Sequence, residues 1–480
     1  MRILYVASEA RPFAATGGLG DVLGSLPYSV KERLQENGDV RIIIPLYPSI
    51  RKRLGTSLTF VAETSVRLAW RRQYCGIWQT EYKGVICYFI DNEYYFKRES
   101  LYGSYDDGER FAFFAKGVLE CMSITGFIPD ILHANDWQSA LTVIYLKRKM
   151  DLDARFEKIR TLYTIHNIDY QGIYNFSILA DVFELAEWDR GIVEYNGCIN
   201  LTKGAIVCAD RVNTVSPRYA SEIMTEYYSA GLFHILRLYS GKICGILNGI
   251  DTQYYSSENG TDIVAPFTKN DLSGKKENKL ALQAECGLIQ NPEVPIIAMI
   301  SRLTAHKGFD LVCRVIDELL IRNEMQFVLL GTGEDMLEAF FRELEQRFPT
   351  RVCARIQFDP MLAKRIYAGA DIFLMPSRSE PCGLAQMIAS RYGTVPVVRE
   401  TGGLADTIRP YNKYTGEGNG FSFTNYNAHE MMHVLETALG FYKDRAVWNC
   451  IVDNAMSMDF SWRLSAQKYI DMYREMSGGT

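Results

Sequence analysis

Arg302 and Lys307 stand in Ser301-Arg302-Leu303-Thr304-Ala305-His306-Lys307-Gly308, between an apolar run and an expected helix start. Two cations held there can neutralise a diphosphate and stabilise the charge it gains as a leaving group. A solvated loop with surface charges is the competing reading, and Gly308 together with the preceding strand favours the chemistry. Glu380 opens Glu380-Pro381-Cys382-Gly383-Leu384 after another apolar run. A carboxylate can accept two sugar hydroxyls, while the N–H groups of Cys382, Gly383 and Leu384 can point at a phosphate or hydroxyl. The alternative is a turn whose Glu caps a helix. Cys382 has no His in its local sequence to activate it as a nucleophile, so it reads as a small residue lining the loop. His166, in Thr164-Ile165-His166-Asn167, and Asp136, beside Trp137, also follow apolar runs and can hydrogen-bond a substrate near a reacting centre. Their competing readings are a satisfied core histidine and a loop-ordering acid.

Thr16-Gly17-Gly18-Leu19-Gly20-Asp21 returns almost unchanged as Thr401-Gly402-Gly403-Leu404-Ala405-Asp406. Paired glycines let backbone approach a ligand closely, and a helix start behind them offers N–H groups and a positive dipole end. One such loop near each end of the chain points to a phosphate-bearing ligand held between two halves.

Two other patterns are decoys. His429-Glu430-Met431-Met432-His433 matches the H-E-x-x-H zinc motif, but no Gly-x-x-His continuation follows. Asn427 as N-cap, Glu430 at the capping-box position, and a stripe of Met431, Leu435, Ala438 and Tyr442 explain it as an amphipathic helix with His429, His433 and Glu436 on its polar face. Gly18, Gly20 and Gly24 resemble a dinucleotide fingerprint, yet they come late after the first strand. The strand ending Ile44-Pro45-Leu46-Tyr47 also lacks the ribose-binding acid.

The elements that position these groups alternate from end to end. Strands are expected at residues 2–7, 40–45, 85–90, 131–133, 161–166 and 211–215, then at 243–247, 296–300, 326–330, 355–358, 372–375 and 395–398. Near-continuous apolar runs fit parallel strands covered on both faces, and strand–helix alternation implies two doubly wound α/β domains. Ligands of such sheets bind beyond the carboxyl ends of the strands, where the suggestive residues fall. The domains are then expected to face one another across a cleft. Their boundary is placed near residue 245, with a closing amphipathic helix over 459–473 returning to the first half.

A chain of 480 residues exceeds one ordinary core, and 48% apolar with 23% charged residues fits a soluble globular enzyme. A net charge of −5 argues against affinity drawn from nucleic-acid phosphates. No apolar run nears the ~18–20 residues that span a bilayer. The first residues enter a strand pattern directly, so no targeting segment and a cytoplasmic location are expected. Eleven scattered cysteines without a C-x-x-C pair suit reduced thiols better than disulfides or a zinc ribbon.

Taken together, residues 16–21, His133-Ala134-Asn135-Asp136-Trp137, 164–172, Asn248-Gly249-Ile250-Asp251, 301–308, 367–383, 392–406 and Phe460-Ser461-Trp462 resemble the bacterial glycogen synthase and plant starch synthase family. The resemblance runs over essentially the whole chain. It implies two facing Rossmann-like domains (GT-B), with residues 1–245 plus the C-terminal helix 459–480 forming an acceptor domain and 246–458 a donor domain. It implies a retaining transferase that moves glucose from ADP-glucose to the non-reducing 4-OH end of an α-1,4-glucan, without cofactor or metal. On that resemblance Arg302 and Lys307 bind the donor diphosphate, Glu380 and the N–H groups of Cys382, Gly383 and Leu384 hold the glucose, and His166 lies near the anomeric carbon. Asp136 and Asn248 are implied as site-shaping residues, Gly17, Gly18 and Asp21 as donor contacts, and Thr401, Gly402 and Gly403 as closing on the distal phosphate. The family's lysine before the first Thr-Gly-Gly-Leu is Ala15 here, with Arg11 a possible substitute. Where the related retaining transferases carry a second Glu, this chain has Ile388. A UDP-glucose or other sugar-nucleotide transferase of the same fold, and a weakened glucan-binding paralogue, stand as alternatives.

Overall fold

The computed structural model describes residues 1–148, 153–259 and 262–478. They form two compact units, Met1–Gly249 with Trp462–Thr480, and Ile250–Ser461. Among the described residues no helix is long and apolar enough to cross a membrane.

The first unit is built on β1 (Arg2–Val6), β2 (Asp39–Pro45), β3 (Thr59–Leu68), β4 (Arg71–Tyr82), β5 (Val85–Asp91), β6 (Ile131–Asn135) and β7 (Arg160–Ile165). A small antiparallel sheet, β8 (Ile173–Tyr174), β9 (Glu194–Tyr195) and β10 (Cys198–Asn200), precedes β11 (Arg211–Thr214) and β12 (Ile243–Gly245). The main sheet runs β12-β11-β7-β6-β1-β2-β5-β4-β3. Its parallel strands are buried along most of their length, as in Ile3, Leu4, Tyr5 and Val6. β3 and β4 were absent from the expected strands. They pair antiparallel at the sheet edge, and their solvated face interrupts the apolar runs by which the other strands are recognised. Residues 243–247 were grouped with the second series; the strand there pairs with β11 and belongs to the first sheet.

The second unit holds β13 (Ile296–Ile300), β14 (Gln326–Leu330), β15 (Val352–Arg355), β16 (Ile372–Met375), β17 (Val395–Arg399) and β18 (Phe421–Phe423). The order β15-β14-β13-β16-β17-β18 is all parallel and doubly wound, the 3-2-1-4-5-6 order of a Rossmann sheet. The strand expected at 355–358 lies three residues earlier. Val352, Cys353 and Ala354 are the buried run, whereas Phe358 is exposed and Asp359 caps the next helix through the Met361 and Leu362 N–H groups. β18 was missed because three residues carry too little pattern.

In each sheet the winding reverses once, between β1 and β6 in the first unit and between β13 and β16 in the second. Connections leave these two neighbouring strands in opposite directions, so their carboxyl ends stay uncovered.

The helix Trp462–Met476 packs on the first unit, burying Trp462, Ala466, Tyr469, Ile470 and Tyr473 in its core. Its register is specified by a buried polar chain. The Tyr473 hydroxyl lies 2.9 Å from Tyr5 Oη and 2.9 Å from His133 Nδ1, and His133 Nε2 is 2.7 Å from Thr164 Oγ1. Asn213 Nδ2 donates to Tyr469 Oη at 2.8 Å. The expected strand over 131–133 places His133 at its carboxyl end. β6 continues two residues further than expected, which leaves His133 fully buried inside the sheet as a core histidine. Tyr473→Phe should cost about 1–3 kcal/mol, since it strips one partner from both Tyr5 and His133 without opening a cavity. Urea unfolding of the variant beside the parent checks this; coincident curves would show that apolar packing alone holds the helix.

Candidate active site

In the first unit, the groups cluster around the β1–β6 reversal. Glu9 lies just beyond β1 and is only 3% exposed. Its carboxylate accepts from the Thr16 N–H at 2.5 Å, the Thr16 hydroxyl at 2.9 Å and the Gly20 N–H at 3.2 Å. Burial raises its pKa against the pull of these donors, and they hold the first Thr-Gly-Gly-Leu loop in place. A Cβ on Gly20 would stand 2.4 Å from Ala15 Cβ, and one on Gly24 2.6 Å from Arg11 Cβ, so these two glycines serve local packing. Gly17 and Gly18 differ: they are exposed, and a Cβ on either meets nothing within 4 Å. The fold itself therefore does not require their bareness. Asp21 forms an ion pair with Arg11, the residue considered as a stand-in for the missing lysine.

Across the reversal, Asp136 follows β6 with φ of 55°, a conformation that Asp tolerates better than most residues. Its Oδ1 accepts from the His166 N–H at 2.8 Å, and its own N–H donates to Thr164 O at 3.0 Å. Burial, the dominant cause, and the nearby Glu9 charge push Asp136 up to about 7, while the His166 N–H opposes them. The His166 ring is pushed down to about 3 by burial, so it is neutral near pH 7. Asn248, after β12, is buried with its Oδ1 unmatched by any donor among the described residues. Such an acceptor is costly to leave empty, which suits a site completed by a ligand hydroxyl or N–H.

In the second unit, the β13–β16 reversal brings the loops after these strands together. Gly308 has φ of 80°, and a Cβ there would stand 2.1 Å from Pro376 O, while the Arg378 N–H donates to His306 O at 2.8 Å. This contact places Lys307 Nζ 2.6 Å from Glu380 Oε2, which also accepts from Ser377 Oγ at 3.0 Å. Glu380 Oε1 takes no bond from the described residues. Arg302 is exposed and makes no ion pair among the described residues. Cys382 is buried and its loop is pinned by Gln386, whose Nε2 donates to Cys382 O, Gly383 O and Thr407 Oγ1 at 3.1, 2.9 and 3.1 Å. Gly383 has φ of 69°, and Leu384 is half-buried beside it.

The second Thr-Gly-Gly-Leu loop departs from expectation. A Cβ on Gly402, where φ is 45°, would stand 2.0 Å from Glu380 O, and one on Gly403 2.1 Å from Cys382 O. The Gly403 N–H donates to Glu380 O at 3.1 Å and to Pro381 O at 3.3 Å, and Thr401 O accepts from Leu404 N at 3.0 Å. These glycines thus admit the 380–382 backbone, and the Gly403 N–H is not left open for an anion as the helix-start argument expected.

The zinc-like pattern is a surface helix, Ala428–Tyr442. Met431, Leu435, Ala438 and Tyr442 are buried and both His429 and His433 are exposed. Asn427 Oδ1 caps it through the His429 and Glu430 N–H groups. Glu430 does not close a capping box: its carboxylate accepts from Thr424 and Asn425 N–H instead. Among the described residues no cluster of His, Cys, Asp and Glu is arranged for a metal.

Four residues that the motifs left unassigned support the assigned ones: Glu9, Asn135, Ser377 and Gln386. The first three stand at or just beyond a strand's carboxyl end, the signal that singled out their neighbours. Gln386 carries no such signal.

The two glycine pairs should separate in stability. Gly403→Ala should lose more than about 3 kcal/mol or fail to fold, as expected of overpacking against backbone. Gly17→Ala and Gly18→Ala should stay within about 0.5–1 kcal/mol of the parent. Thermal denaturation of the three variants tests the contrast, and equal losses at both loops would overturn it.

Comparison with known proteins places the chain in a family. Residues 2–238 match the family described as starch synthase catalytic domain, and residues 288–449 match glycosyl transferases group 1. The chain is 47% identical to a glycogen synthase of Clostridioides difficile over 99% of its length and 100% of that protein. It is 45% identical to a glycogen synthase of Anoxybacillus flavithermus over 100% and 99% of the two chains. The catalytic domain of starch synthase IV from Arabidopsis thaliana, bound to ADP and acarbose, superposes with a TM-score of 0.91 at 33% identity, covering 99% of both chains. Sucrose-phosphate synthase from Thermosynechococcus elongatus, with a TM-score of 0.62 and 15% identity over 99% of both chains, shares the fold alone. The chain belongs to the glycogen synthase and starch synthase family of glycosyltransferases.

Proposed function

We propose that the protein transfers glucose from ADP-glucose to the non-reducing 4-OH end of an α-1,4-glucan with retention of configuration. The Lys307–Glu380 pair at the β13–β16 reversal carries this reading. Lys307 and Ser377 together occupy Glu380 Oε2, which fixes the carboxylate and leaves Oε1 to accept a sugar hydroxyl. The same pair holds the lysine ammonium rigid, so its charge is in place before the donor binds. Arg302, with no ion-pair partner among the described residues, supplies the second cation for the diphosphate. The second unit takes the nucleotide sugar, the Cys382–Leu384 N–H groups contacting the glucose. The first unit takes the glucan and offers His166, Asp136 and Asn248 to sugar hydroxyls.

As the bond from the anomeric carbon to the diphosphate breaks, positive charge grows on the sugar and negative charge on the leaving group. Arg302 and Lys307 stabilise the second of these, and the leaving phosphate draws the proton from the attacking 4-OH on the same face. The Arabidopsis relative, which binds ADP and acarbose, supports both the nucleotide and the glucan assignment.

The first loop contributes no cation in this chain. Position 15 is alanine, and Arg11 is paired with Asp21. A UDP-glucose enzyme is the second reading, and it rests on this departure. With both donors offered at equal concentration and a glycogen primer, ADP-glucose should give at least about tenfold higher kcat/KM. Preference for UDP-glucose would overturn the donor assignment, and primer binding without nucleotide release would identify a weakened paralogue. Arg302→Ala should lower kcat by about 10²-fold. Because the side chain is exposed and has no ion-pair partner among the described residues, its denaturation midpoint should match the parent's. Full turnover in that variant would remove Arg302 from the diphosphate.

A further inference from the structure

Asn135 closes β6 at the reversal and is 1% exposed. Its Nδ2 donates to Val6 O at 3.2 Å and to His133 O at 3.1 Å. Both partners are carbonyls, which only accept, so the amide can sit in one orientation only. Oδ1 must then face His166 Nε2, 2.9 Å away. An amide oxygen cannot donate, so Nε2 is the nitrogen that carries the proton. A neutral imidazole has one N–H, and burial keeps this ring neutral. Nδ1 is therefore a bare acceptor, and no described residue donates to it.

The other anchors of His166 leave the ring nitrogens untouched. Its backbone N–H goes to Asp136, and the neighbouring Ile168 N–H goes to Tyr219 Oη at 3.2 Å. Among the described residues, the Asn135 contact is the one hydrogen bond made to the ring nitrogens of His166. That contact is itself braced by two strands, because Val6 ends β1 and His133 lies within β6.

We propose that Asn135 is a positioning residue that holds His166 in its Nε2–H form, so that the open Nδ1 accepts a hydrogen bond from a hydroxyl of the transferred sugar. The proposal rests on the assignment of His166 to the sugar under Proposed function. It gives the histidine the role of an acceptor and not of an acid, since no proton is available on Nδ1.

Histidine-selective 15N labelling of the full chain at neutral pH reads the tautomer directly, with the His166 signals identified by their loss in His166→Gln. The parent should show a protonated Nε2 and an unprotonated Nδ1; the reverse form or an even mixture would overturn the proposal. Asn135→Ala should convert His166 to a mixture of forms. A tautomer unchanged in Asn135→Ala would overturn the positioning role, and the parent spectrum stands if that variant does not fold. In steady-state transfer, Asn135→Ala should lose about tenfold or more in kcat with KM for the nucleotide sugar changed by less than about threefold. A lost tautomer with unchanged kcat would overturn the Nδ1–sugar contact. A parent with the stated tautomer but no glucose transfer would instead overturn the functional assignment beneath it.

Discussion

A carboxylate removed from water must be met by donors, and in each unit a glutamate beyond a central parallel strand imposes that demand on its surroundings. Glu9 meets it with the Thr16 and Gly20 N–H groups and the Thr16 hydroxyl, and in doing so shapes the first Thr-Gly-Gly-Leu loop. Glu380 meets it with Lys307 and Ser377. The second loop is held by the backbone carbonyl of Glu380 instead, through the Gly403 N–H. Similar words in the sequence are therefore anchored by opposite ends of the same residue type. In the first loop the glycines stay open; in the second they are where two backbones meet.

Both glutamates lie where the winding of a parallel sheet reverses, and this is why they can gather partners from distant parts of the chain. The β13–β16 reversal brings position 307 against position 380, and the β1–β6 reversal brings Val6 against Asn135. Gly308 is needed at the first of these because Pro376 O occupies the space of a side chain. The helix Trp462–Met476 reinforces the first unit from the end of the chain. Its Tyr473 and Tyr469 hydroxyls bond to His133 and Asn213 inside the strands, and His133 in turn meets Thr164, two residues before His166.

The electrostatics of the two units differ accordingly. Around the first reversal, burial leaves His166 neutral and pushes Asp136 up to about 7, beside the buried Glu9 carboxylate. Around the second, Lys307 and Glu380 offset one another and Arg302 remains exposed. Of the candidate groups, the exposed cation Arg302 thus lies in the second unit. The substitution of alanine at position 15 and the pairing of Arg11 with Asp21 sharpen that asymmetry.

Much of the fold was legible because parallel strands buried on both faces must be continuously apolar: β1, β13, β14 and β16 stand close to where their runs place them. The antiparallel β3–β4 edge was not, since one solvated face breaks the run, and β15 was displaced because Ile356 and Phe358 imitate a strand beyond its end. The candidate residues were legible by type and by position after a strand. By itself the sequence determined which groups are available: Arg302, Lys307, Glu380, His166, Asp136 and two glycine pairs, with alanine at position 15. Only the tertiary structure decided their states. Whether a glycine faces solvent or a carbonyl, whether a lysine stands alone or against Glu380, and which nitrogen of His166 keeps its proton all depend on partners tens of residues away. Strand order, not local sequence, selects those partners.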